Sequence, residues 1–104
     1  MSNISKTKTI PLDQDFEQML ISALRYALGR NSYIVKMTAE YISKFIPDLS
    51  NQPLLVMQRD LRNELYQPDS RWAFSMMDTQ TWLELLRKIE EELDKRGILL
   101  DEHV

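Results

Sequence analysis

The sequence concentrates its most versatile side chains in one short run, where Arg25, Tyr26, Arg30 and Tyr33 flank a single glycine, Gly29. A guanidinium presents five donors in a fixed fork and grips phosphates or carboxylates, and Arg and Tyr are enriched at interface hot spots. The plainer role is structural: arginines complement a helix C-terminus and tyrosines pack a hairpin. A second group lies at Trp72, Phe74, Met76 and Met77, preceded by Asp69 and followed by Asp78, Glu84 and Glu91. Aromatic and methionine anchors rimmed by charge have the anatomy of a protein interface. The structural alternative has Trp72 and Phe74 folding inward over a core.

What is missing narrows the chemistry. There is no cysteine, which excludes disulfides, thiolate nucleophiles and Cys-based zinc sites. The one histidine, His103, stands next to the final residue, where chains fray, so a catalytic triad or His-pair metal site has little to build on. With Gly29 and Gly97 as the two glycines, neither phosphate-cradling Gly-rich motif can be written. The carboxylates lack any histidine to complete a metal site. No catalytic residue, metal or cofactor is expected, and a non-enzymatic role is favoured.

Charge is divided unevenly. The chain carries a net −3, yet residues 1–30 sum to +1 and residues 31–66 balance. Residues 67–104 set five positive side chains against nine negative ones and so hold the excess of acid. An acidic surface repels phosphate backbones and attracts basic proteins. The Glu90-Glu91-Glu92 run reads first as a solvated helix face, and in function as a docking surface giving fast, salt-sensitive association.

The run Ala23-Leu24-Arg25-Tyr26-Ala27-Leu28-Gly29-Arg30-Asn31-Ser32-Tyr33 resembles a motif, R-Y-x-x-G-R-x-[ST]-Y, of small helical proteins of prophages, mobile elements and toxin–immunity loci. In those proteins a Val- and Ile-rich helix follows. A short polar stretch (here Gln58-Arg59-Asp60-Leu61) and a D-x-x-x-W helix (here Asp78 to Leu86) come after it. The specific block covers about Ala23 to Ile46; the later ones are short and degenerate. The resemblance implies a helical fold and a mobile-element setting, and it supplies no catalytic residue.

These residues must be positioned by helices. With 43% hydrophobic and 28% charged residues, 104 residues make one globular domain, residues 1–104, with an ordinary core. Residues 1–11 are expected to form a flexible arm and residues 98–104 a tail, docked as a short segment or a strand. Periodicity predicts an all-α bundle of about four helices. The first spans Leu12 or Asp13 to Leu28, with an inner stripe of Phe16, Met19, Leu20, Ala23, Leu24, Ala27 and Leu28, and Gly29 closes it. The second is capped by Asn31 or Ser32 and stopped by Pro47, forming an antiparallel hairpin with the first. The third opens at Ser50-Asn51-Gln52-Pro53 and ends near Tyr66. The fourth is capped by Asp78 after a loop from Asp69 to Met77, buries Trp82, Leu85, Leu86, Ile89 and Leu93, and closes at Gly97. Three i, i+4 pairs, Glu84–Lys88, Glu91–Lys95 and Glu92–Arg96, should line its outer face.

No run is apolar enough for a signal or membrane segment, which favours the cytoplasm. Together these features lead to an expected protein-binding module, an immunity or inhibitor protein that covers the cationic surface of a basic nuclease-type toxin. Asp69, Trp72, Phe74, Asp78, Glu84 and Glu91 would form its contact surface, with Arg25, Tyr26, Arg30 and Tyr33 as a secondary cluster. The alternatives are a helix-turn-helix-like accessory protein in DNA transactions, which the net acidity disfavours, and a homo-oligomeric adaptor.

Overall fold

The computed structural model describes residues 13–66 and 75–98. Four helices account for most of them: α1 (Gln14–Ala27), α2 (Ser32–Phe45), α3 (Asn51–Tyr66) and α4 (Met76–Lys95). A 3-10 turn, Ile46–Asp48, links α2 to α3. No strand occurs among the described residues. The expected arm at residues 1–11, the expected tail beyond Ile98 and most of the expected 69–77 loop lie outside them.

Side-chain oxygens start three of the helices. Asp13 accepts from the Asp15 amide at 3.2 Å, Asn31 from Ile34 at 3.0 Å and Ser75 from Asp78 at 3.0 Å. The last contact corrects the sequence reading: Ser75, not Asp78, caps α4. The helix begins two residues before Asp78, so Met76 and Met77 are helical and Asp78 takes the third position. Both residues are good caps. Starting at Ser75 keeps a cap and also sets the Asp78 carboxylate in the first turn, where the helix dipole favours it.

Pro47 ends α2, as expected, but without the usual effect of proline on the residue before it: Ile46 stays in the α region (φ −50°, ψ −46°). Pro47 has no N–H to give the Ser43 carbonyl, so Ile46 donates there and the chain tightens into the 3-10 turn. Between α1 and α2, Leu28 (φ −60°, ψ 128°) and Gly29 (φ +79°) form the centre of a type II turn. The Arg30 amide closes it onto Ala27 O at 3.0 Å. At the end of α4, Gly97 (φ +79°) donates to Asp94 O, and Ile98 donates to Leu93 O, both at 3.0 Å. This Schellman closure also seats Ile98 against the core.

The helices pack as two antiparallel hairpins. Phe16 of α1 meets Phe45 of α2 edge-to-face, with centroids 5.0 Å apart, so these helices run in opposite directions. In α3 and α4, Arg62 reaches Glu90 while Asn51 reaches Arg96, again antiparallel. Across the hairpins, α1 runs parallel to α3: Glu17 contacts Ser50 near one end and Arg25 contacts Asp60 towards the other. The main packing pairs are α1/α2, α1/α3, α2/α4 and α3/α4, which sets α1 diagonally opposite α4. Leu24, Val35, Ile42, Leu54, Met57, Leu61, Trp82, Ile89 and Leu93 have no exposed surface and form the core between them.

The buried stripes of α3 and α4 match their periodicity, but that of α1 is rotated. Glu17, Leu20, Ile21, Leu24 and Ala27 point inward, whereas Met19 is 54% exposed and Ala23 half-buried. Both faces satisfy i, i+3, i+4 spacing, and packing against two neighbours selects the face that carries Ile21. On α2, Tyr41 is likewise exposed.

Two polar side chains lock the ends. Buried Glu17 accepts from the Ser50 amide at 2.8 Å and from its hydroxyl at 3.1 and 2.8 Å, tying α1 to the start of α3. Arg96 donates to Glu92 (2.9 Å), Asn51 (2.8 Å), Pro47 O (3.2 Å) and Ile46 O (3.4 Å). Arg96→Ala is therefore expected to lower the unfolding free energy by about 1.5–3 kcal/mol, the range for hydrogen bonds to a charged group. Arg96→Lys should recover less than half, because an ammonium cannot span these acceptors. Urea titrations of the three proteins measure both.

No helix among the described residues is long and apolar enough to cross a membrane.

Candidate protein-interaction groove

Parallel packing of α2 and α4 leaves a furrow between their polar edges. On α2 the positions Ser32, Lys36, Ala39, Glu40 and Ser43 recur every three or four residues and so share one face. Met77, Asp78, Thr81, Glu84 and Lys88 do the same on α4. The two faces enclose a groove of about 420 Å³, within the range of ligand-sized clefts. It continues past Ser43 and Lys88 into a shallower depression reaching Pro47, Glu91 and Lys95. Ser32 and Met77 mark one end and Pro47 and Lys95 the other, which makes α2 and α4 parallel.

Met77, which lines the groove, is 65% exposed. Met76 and Tyr33, the sequence neighbours of the lining residues Met77 and Ser32, are 79% and 72% exposed. Along the groove the charges are mixed with acid in excess: Glu40, Asp78, Glu84, Glu91 and Glu92 against Lys36, Lys88 and Lys95.

The expected contact residues fare differently. Asp69, Trp72 and Phe74 lie outside the described residues. Asp78 is buried in the groove wall, 8% exposed. Glu84 and Glu91 are exposed, and both engage Arg87, at 3.9 and 2.7 Å, in place of the expected Lys88 and Lys95. The expected Glu92–Arg96 pair forms at 2.9 Å. Arg87 lies at i+3 from Glu84 and i−4 from Glu91, so one guanidinium bridges two acids that the sequence paired with separate lysines.

The Arg25–Tyr33 cluster is dispersed by the turn. Arg25 leaves it for α3, where its Nε donates to Asp60 at 2.7 Å. This hydrogen bond, with the attraction of the Asp60 charge, raises the Arg25 pKa above its ordinary value, against a small opposing effect of burial. Arg30 stacks over the Tyr26 ring at 4.2 Å and donates to Tyr26 O at 3.0 Å, bracing the end of α1. Tyr33 is exposed to solvent, next in sequence to the groove residue Ser32. Because the Arg25 side chain is 56% exposed, its ion pair is largely screened. Arg25→Ala is expected to change stability by less than about 1 kcal/mol, read from the denaturation midpoint.

The α2 half of the site was missed by the sequence reading. Its signal was the polar spacing from Ser32 to Ser43 opposite the Val35-Ile42 core face, which becomes half a groove once α4 lies alongside. Among the described residues, no group of three or more His, Cys, Asp or Glu side chains is arranged to hold a metal ion. Comparison of the chain with protein-family models, curated proteins and solved structures gave no match.

Proposed function

We propose that this chain is a non-enzymatic protein-binding module, an immunity or inhibitor protein that neutralises a basic nuclease-type toxin by covering its cationic surface with the α2/α4 groove. The observation that carries the reading is the pairing of an acid-rich groove with exposed Met77 in its lining, next in sequence to exposed Met76. Apolar anchors of this type supply contact area and adaptability, and the carboxylates steer and select a basic partner. The acidic C-terminal third and the resemblance to proteins of toxin–immunity loci support the same reading. The absence of cysteine and of any histidine but His103 leaves little for a catalytic alternative. The toxin meets its inhibitor inside the producing cell, so we place the module in the cytoplasm.

The test is capture on immobilised protein from cells that encode the chain, followed by assay of the purified captured polypeptide. The reading expects one stoichiometric partner of basic pI whose nuclease activity is lost on adding one equivalent of this protein. Retention of duplex DNA with a linear log–log salt slope, and no stoichiometric protein, would replace it with the DNA-accessory reading. A chain that only self-associates in light scattering would replace it with the adaptor reading.

A further inference from the structure

Two carboxylates are buried among the described residues, and they are treated differently. Glu17, 3% exposed, takes three hydrogen bonds from Ser50. Asp78, 8% exposed, donates its backbone amide to Ser75 Oγ, yet its carboxylate has no hydrogen-bond or ion-pair partner among the described residues. Asp78 is one of the residues lining the α2/α4 groove, and its carboxylate oxygens are not sealed from solvent. A largely buried anion still gains from a donor that reaches it, and the helix N-terminus meets only part of that demand.

The neighbouring hydroxyls are also set to accept. Ser43 Oγ spends its proton on Ala39 O at 2.8 Å, and Thr81 Oγ1 spends its own on Met77 O at 3.0 Å. Both residues line the groove and keep lone pairs there. The carboxylates of Glu40 and Glu84 add further acceptors. The groove's cations, Lys36 and Lys88, belong to exposed residues and form no ion pair with Asp78.

We infer that the groove is a receptor for an arginine side chain, presented by the basic partner, with the Asp78 carboxylate as its anchor. A guanidinium offers donors in several directions at once and pairs with a carboxylate in two-pronged fashion, which suits one anchor ringed by acceptors. Lys36 and Lys88 then act as a filter, repelling cations that cannot make the short bonds to Asp78. The inference rests on the protein-binding reading for the source of the arginine but not for the chemistry of the groove.

The experiment uses the whole chain, ¹⁵N-labelled, titrated with arginine amide and separately with citrulline amide, its neutral urea analogue. Arginine amide is expected to give saturable shifts at Ser32, Lys36, Thr81 and Glu84, and citrulline amide none. Asp78→Asn should raise the apparent Kd at least fivefold, whereas Asp15→Asn, on the helix diagonal to α4, should leave it unchanged. Equal response to citrulline, shifts spread over exposed acids elsewhere, or no saturation would each overturn the inference. The wild-type comparison decides even if Asp78→Asn does not fold. If a basic protein partner binds equally well to Asp78→Asn, the arginine anchor fails and the module reading stands. If arginine amide binds here but no basic protein does, the reverse holds.

Discussion

Trp82→Ala is expected to remove about 3–5 kcal/mol of unfolding free energy, the cost of excavating a large aromatic side chain from a packed core. Trp82 is fully buried in α4, the helix that packs on both α2 and α3. Its loss would therefore loosen the groove wall as well as the core. Trp82→Phe should cost less than half as much. The indole Nε1 is buried with no hydrogen-bond partner among the described residues, so phenylalanine removes a donor that the fold leaves unsatisfied. Chemical denaturation of the two variants separates ring packing from the polar atom. A similar loss for both would mean that Nε1 is bonded in solution.

The second large effect concerns association. Glu84→Lys/Glu91→Lys reverses two exposed charges on the α4 edge of the groove and leaves Arg87 without either of its acidic partners. Stability should change by only about 1 kcal/mol, since exposed ion pairs contribute little. The association rate with a basic partner should fall by roughly tenfold or more at low ionic strength, because steering depends on the field of the whole face. The difference between wild type and variant should shrink as salt screens both. Stopped-flow association at two ionic strengths measures it; unchanged rates would remove the acidic face from the binding step.

The helices were legible in the sequence because their signals are local. Asp13, Asn31, Gly29, Gly97 and the Trp82–Leu93 stripe act within one turn of themselves, and the structure uses each as its type dictates. Where two local solutions were equally good, a further effect decided. Met19 and Ile21 both complete an apolar stripe on α1, and packing against neighbouring helices buries Ile21; Ser75 and Asp78 both make good caps, and starting at Ser75 also sets the Asp78 carboxylate in the first turn.

The site was legible only in part for the same reason. The acids of α4 announce themselves, but Ser32, Lys36 and Ser43 become groove residues only because α2 runs parallel to α4. The contrast between Glu17 and Asp78 was invisible in sequence: both are first-turn acids, and one meets Ser50 across 33 residues of chain while the other faces the groove.

Hydrogen–deuterium exchange on the complex with the captured basic protein tests the central claim most directly. If the α2/α4 groove is the contact surface, binding will slow exchange in Ser32–Ser43 and Met76–Glu91 and leave the outer faces of α1 and α3 unchanged. Protection centred on α1 and α3, with α2 and α4 exchanging as in the free protein, would contradict it.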